Sequence, residues 1–108
     1  PGLEVQAQAI RLGVAEFTMR GSTGLDGKDL TKQVLSQLKG TKRGCTLGKR
    51  SAIRGFDKMS DGRKRRLAKK MDAVVVGTVL TRRGRMIAEI QLVDPKSGGV
   101  VAQFSAGK

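Results

Sequence analysis

The last third of the chain constrains the fold most. Val74, Val75 and Val76 form a β-branched run, broken by Gly77 and resumed by Val79 and Leu80. Branched side chains of this kind suit a pleated, packed strand. After Thr81-Arg82-Arg83-Gly84-Arg85, the residues Met86, Ala88, Ile90 and Leu92 alternate with Ile87, Glu89, Gln91 and Val93, a period of two. Asp94-Pro95-Lys96-Ser97-Gly98-Gly99 is strong turn chemistry, because Pro95 fixes φ and Gly98 or Gly99 permits a positive one. Val100 to Phe104 then closes a three-stranded antiparallel meander. A chain of 108 residues has room for one core, so everything upstream must pack on that sheet. Gly77, inside a strand, marks a point where a helix or neighbouring backbone comes close.

Upstream, Leu3, Val5, Ala7 and Ala9 alternate with Glu4, Gln6 and Gln8, an extended lead-in over residues 1–10. The strand either continues through Leu12, Val14 and Phe17 or breaks near Arg11; propensity leaves both open. Residues 20–27 are a glycine-rich loop. Leu30, Val34, Leu35 and Leu38 share one helical face, which predicts a helix over 27–39, capped by Asp26 or Asp29 and ended by Gly40. Cys45–Leu47 reads as a short strand, and Ala52, Ile53 and Phe56 as one helical turn. Ser60 caps a second helix reaching Met71, with Leu67, Ala68 and Met71 inward. The fold class is therefore α/β (α+β): a single small domain, residues 1–108, with a 4–5-stranded mixed sheet and two helices in the order β-α-(β)-α-β-β-β. The expected core is Val14, Phe17, Leu30, Val34, Leu38, Leu67, Val74, Val76, Ile90, Leu92 and Val101.

Charge is concentrated on one stretch. Residues 39–70 hold 13 Lys or Arg against two Asp, whereas residues 1–38 balance four against four. Like charges this dense repel one another, by about 1 kcal/mol per pair at roughly 4 Å in water, and imply solubility tuning or an anionic partner. On the second helix Arg63, Arg65, Arg66, Lys69 and Lys70 occupy an arc opposite the apolar side, while Lys64 falls on that side and must snorkel outward. Arg82, Arg83 and Arg85 add cations at the hairpin turn. These eight residues are the candidate partner-binding face. An acidic protein, a nucleic acid contacted through its phosphates, and an anionic glycan or lipid head group are all compatible with it. The absence of Trp and Tyr, with only three Phe, leaves no stacking platform and favours the protein.

Catalysis is not expected. The chain has no His, the commonest general base and metal ligand, and its nine carboxylates are scattered, so no metal site and no cofactor is assigned. The single Cys45, between Arg43 and Lys49, reads as a small core residue rather than an activated thiol. Ser22-Thr23-Gly24-Leu25-Asp26-Gly27-Lys28-Asp29 and Arg43-Gly44-Cys45-Thr46-Leu47-Gly48-Lys49-Arg50 carry the Gly-Lys of a phosphate loop. Both lack its first glycine and its metal-binding hydroxyl. The longest apolar run, Ala73–Gly77, is far short of the ~20 residues of a membrane span. The chain starts at Pro1 with no visible signal peptide and reads as a domain excised from a larger protein.

Three ordered segments carry a resemblance. They are Arg-Leu-Gly-Val-Ala-Glu-Phe (11–17), Lys-Lys-Met-Asp-Ala-Val-Val-Val-Gly-Thr-Val (69–79) and Ile-Gln-Leu-Val-Asp-Pro-Lys-Ser-Gly-Gly-Val-Val (90–101). Together, over residues 11–104, the chain resembles the α/β domain shared by the TolB amino-terminal domain, the curli secretion-channel subunit and the penicillin-binding-protein activator lipoproteins. It departs from that group at Glu16, where the group reads Pro, in the order Met71-Asp72-Ala73, and in the basicity of the second helix. The resemblance implies a non-enzymatic bacterial module of the cell envelope, periplasmic and working by protein–protein contact. A cytoplasmic nucleic-acid-binding module is the alternative.

Overall fold

The computed structural model describes residues 10–21, 26–40, 45–48 and 51–107. The expected strand over Leu3–Ala9, the middle of the glycine-rich loop and half of each phosphate-loop-like stretch lie outside them. Six strands form one mixed sheet. They are β1 (Ile10–Val14), β2 (Thr18–Arg20), β3 (Cys45–Leu47), β4 (Ala73–Arg82), β5 (Arg85–Val93) and β6 (Val100–Gly107). The helices are α1 (Gly27–Gly40) and α2 (Asp61–Ala68), with a 3-10 turn at Phe56–Lys58 before α2. The sheet order is β3-β1-β4-β5-β6, with β2 on the same edge of β4 as β1. Pairing is parallel among β3, β1, β2 and β4 and antiparallel across the meander. Each parallel step crosses over with a helix, and each antiparallel step closes with a turn.

The described part of the first strand runs from Ile10 to Val14, is interrupted at Ala15 to Phe17 and resumes at Thr18. Val14 pairs with Val75 and Thr18 with Thr78, so one extra residue is accommodated on the β1–β2 side, as in a bulge. The backbone N–H of Ala15 still donates to Val75 O (2.9 Å), that of Glu16 turns to Ile53 O (2.9 Å), and that of Phe17 donates to Thr31 Oγ1 (2.9 Å). Thr31, 1% exposed, also donates to Gly27 O at 2.6 Å. The interruption lays the Phe17 ring over Gly77, where an added Cβ would meet ring carbons at 2.6 Å. The group crowding Gly77 is thus a side chain, not a helix or backbone.

Two apolar clusters lie on opposite faces of the sheet. Val14, Phe17, Leu35, Val75 and Val79 form one under α1, with Leu30, Val34, Leu38, Ile90 and Leu92 packed around them. Ala15, Ile53, Phe56, Met71, Val74 and Val93 form the other, joined by Leu67 and Val76 from α2 and β4. Burial on both faces explains the unbroken β-branched run of β4. Each fully buried Val contributes roughly 1.5–3 kcal/mol.

Four expectations need correction. Val101 is 68% exposed, because β6 is the edge strand and a bulge opposite Leu92 and Val93 lifts it out of register. Ile53 forms a bridge to Ala15 rather than a helical turn, and only Phe56 enters the 3-10 turn. α2 stops at Ala68: the amides of Lys70 and Met71 both donate to Leu67 O, and Met71 then drops fully buried into the core. Among the described residues the sheet has six strands, not four or five, because the first strand is split. Of the two candidate caps of α1, Asp26 acts, accepting from Lys28 N–H at 3.0 Å.

Candidate functional site

α2 begins at Ser60, whose Oγ accepts from Arg63 N–H at 3.4 Å. The helix is so polar that none of its residues is buried; Leu67 and Ala68 are half-buried against the sheet. That one-sided packing leaves Arg63, Arg65, Arg66, Lys69 and Lys70 exposed. Among the described residues no carboxylate pairs with any of the five. Lys64 sits on the inner side, half-buried, with Nζ 5.3 Å from the Phe56 ring centroid, where the ring face attracts the cation.

The arc is not uniform. Arg63 and Arg66 border a cleft of about 320 Å³ floored by Met59 and Leu67, with Arg54 on its far side. Arg65 and Lys64 border a smaller one of about 240 Å³, lined also by Asp61 and by Lys96 of the β5–β6 turn. Asp72 at the end of the α2 connection is held by Arg11. The Arg11 backbone N–H donates to Oδ2 at 2.8 Å and its Nη2 to Oδ1 at 3.2 Å, while Nη1 donates to Lys69 O at 3.0 Å. These hydrogen bonds from Arg11 hold the Asp72 carboxyl below its ordinary pKa. They also join the start of β1 to the end of α2 and fix the arc relative to the sheet.

The hairpin cations are elsewhere. Arg82, Arg83 and Arg85 are exposed at the β4–β5 turn, the far end of a ten-residue strand from α2. At ~3.3 Å per residue the separation is about 30 Å. The eight candidate residues therefore form two patches. Arg83 has φ +53° and Gly84 φ +75°, the paired positive angles of a tight hairpin turn that Asn-Gly fills best.

Other cations, not singled out from the sequence, meet in space. Lys28, Lys32 and Lys39 of α1 face Arg54 across a groove of about 680 Å³. Their signal in the sequence is the spacing i, i+4, i+11, one stripe on a helix. Arg54 borders both this groove and the α2 cleft, so the two cationic surfaces adjoin there. No group of three or more Cys, Asp or Glu among the described residues could hold a metal ion. No helix among them is long and apolar enough to cross a membrane.

No protein-family model and no curated protein sequence matches the chain. Solved structures do. The PelC dodecamer from Paraburkholderia phytofirmans aligns with 94% of this chain and 72% of its own, at 14% identity and TM-score 0.59. The LpoB C-terminal domain from Escherichia coli aligns over 99% and 87%, at 14% identity and TM-score 0.58. Lipoprotein GNA1162 from Neisseria meningitidis aligns over 92% and 79%, at 15% identity and TM-score 0.61. At these identities the likeness is one of fold, and it falls in the fold group to which the three ordered segments pointed.

Proposed function

We propose that the chain is a non-enzymatic docking module of a bacterial cell-envelope protein, acting in the periplasm, and that it binds an acidic protein partner through α2. The observation that carries this reading is the arc of five exposed cations without carboxylate partners among the described residues, three on α2, which has no buried residue, and two just past its end. A local field of one sign steers and selects a partner of the other. The envelope assignment is supported by the fold shared with a lipoprotein. The hairpin patch of Arg82, Arg83 and Arg85 is a second contact, too far from α2 for one small ligand to bridge.

Salt titration tests the class of partner. Five cations neutralising phosphates of duplex DNA give a log–log slope of about −4 to −5, from roughly −0.9 per phosphate. A folded acidic protein gives a shallower dependence, carried mainly by the association rate. The partner is obtained by cross-linking capture from an envelope fraction, with the Arg65→Glu, Arg66→Glu, Lys69→Glu variant as the matched control. A steep slope on 20-base-pair DNA, with affinity above that for any captured protein, would establish nucleic acid instead. Preferential retention on anionic vesicles or glycan would establish an envelope surface.

A further inference from the structure

The groove beside α1 has a shape and a chemistry distinct from those of the α2 arc. Lys28, Lys32 and Lys39 lie within about 40° of one another around the helix and span about 16 Å along it. They form one wall; Ser51, Ala52 and Arg54 form the other. The floor is apolar: Leu35 is 6% exposed and Ala52 is half-buried. One carboxylate enters, Glu16, with Arg54 Nε 3.9 Å from its Oε2. Among the described residues the three lysines have no carboxylate partner. Like charges at i and i+4 destabilise a helix, so Lys28 and Lys32 repel each other until an anion lies beside them.

The far wall also carries a one-residue bridge to the sheet, Ile53 paired in parallel with Ala15. Ile53 N–H donates to Val14 O at 2.8 Å and Ile53 O accepts from Glu16 N–H at 2.9 Å. Both main-chain groups of Ile53 thus face β1, and by strand geometry those of Ala52 and Arg54 face away from it. Among the described residues nothing bonds to the Ala52 or Arg54 main chain.

We infer that this groove binds an extended acidic peptide segment, its carboxylates on the lysine wall, its apolar side chains on Leu35 and Ala52, and its main chain along residues 52–54. The spacing agrees. Alternate residues of a strand lie about 6.6 Å apart on one side, close to the ~6 Å rise from Lys28 to Lys32. About five residues of extended chain cover the whole lysine stripe. A single-stranded nucleic acid fits less well, because the lining offers no aromatic to stack on. This site shares only Ala52 and Arg54 with the cleft beside α2, and it stands whether or not the arc binds.

The test uses a fluorescein-labelled hexapeptide of alternating Glu and Leu, with a twelve-residue oligo-dT as the rival probe. Binding is read by anisotropy, and by amide shifts of the parent protein. Two variants are compared, Lys28→Glu, Lys32→Glu, Lys39→Glu and Arg65→Glu, Arg66→Glu, Lys69→Glu, which change net charge equally. The groove variant loses peptide affinity tenfold or more, the α2 variant less than threefold, and the parent's shifts concentrate at Leu35, Ser36 and Ser51, which line the groove and not the α2 cleft. Equal losses in the two variants, or shifts centred on α2 or absent, would overturn the assignment. Oligo-dT binding that depends on the three lysines, with peptide binding indifferent to them, would assign the groove to nucleic acid. If the groove variant misfolds by circular dichroism, the shifts on the parent decide alone.

Discussion

Gly77→Ala probes the contact that joins the interrupted first strand to the middle of the sheet. Gly77 has no positive φ, so what it needs is space rather than backbone freedom. A methyl there would lie 2.6 Å from Cδ2 and Cζ of Phe17, about 1 Å inside ordinary carbon–carbon contact. The ring cannot swing away. Phe17 is 6% exposed, packed among Val14, Leu35, Val75 and Val79, and its amide is tied to Thr31. Overpacking of this kind costs roughly 1–3 kcal/mol, partly offset by the ~0.5–1 kcal/mol gained when Ala replaces a strand glycine. The net expectation is a loss of about 1–2 kcal/mol in urea unfolding followed by far-ultraviolet circular dichroism. Phe17→Leu shortens the ring's reach, so the double variant should lose about 1 kcal/mol less than the two singles added together. A neutral or stabilising Gly77→Ala, or strict additivity with Phe17→Leu, would refute the packing of Phe17 on Gly77.

Further outcomes follow from single contacts. Thr31→Val leaves the buried Phe17 N–H without an acceptor and should cost about 1–3 kcal/mol, whereas Thr31→Ser keeps the hydroxyl and should cost clearly less in the same melt. The folded-state pKa of Asp72 is depressed, so its pairing with Arg11 stabilises the fold above the ordinary carboxylate range and stops doing so as pH falls through the depressed value. Urea midpoints of the parent and Asp72→Asn should therefore differ at neutral pH and converge in acid; a constant gap would contradict this. Arg83→Asn, at φ +53°, should raise stability by about 0.5–1 kcal/mol, and a loss in the melt would mean that the turn geometry is misassigned.

What the sequence made legible follows from how local each cause is. The β4 run reads as a strand because both of its faces are packed, and α1 because Leu30, Val34, Leu35 and Leu38 share a stripe that meets the sheet. The break at Ala15 to Phe17 has no turn residue to announce it; it is imposed by Ile53 and Thr31, far along the chain. Val101 has the same composition as a core valine, and only its place on an edge strand exposes it. The wheel of α2 separates Arg63, Arg65 and Arg66 from Leu67 and Ala68, since one helix turn decides that, but Lys69, Lys70 and Met71 lie past the end of the helix. It could not show that Arg82, Arg83 and Arg85 stand at the other end of β4, or that Arg54 comes opposite the α1 lysines. Those are facts of topology.

The central claim, that the α2 arc is a binding surface for an acidic protein, is tested most directly by the affinity of the captured partner for the parent and for the Arg65→Glu, Arg66→Glu, Lys69→Glu variant at one fixed salt concentration. Exposed charges are worth about 0–1 kcal/mol each to stability, so the variant should keep its circular dichroism spectrum. Its affinity should fall at least tenfold, about 1.4 kcal/mol. A folded variant that binds the partner as tightly as the parent would reduce the arc to a solvated face and contradict the account.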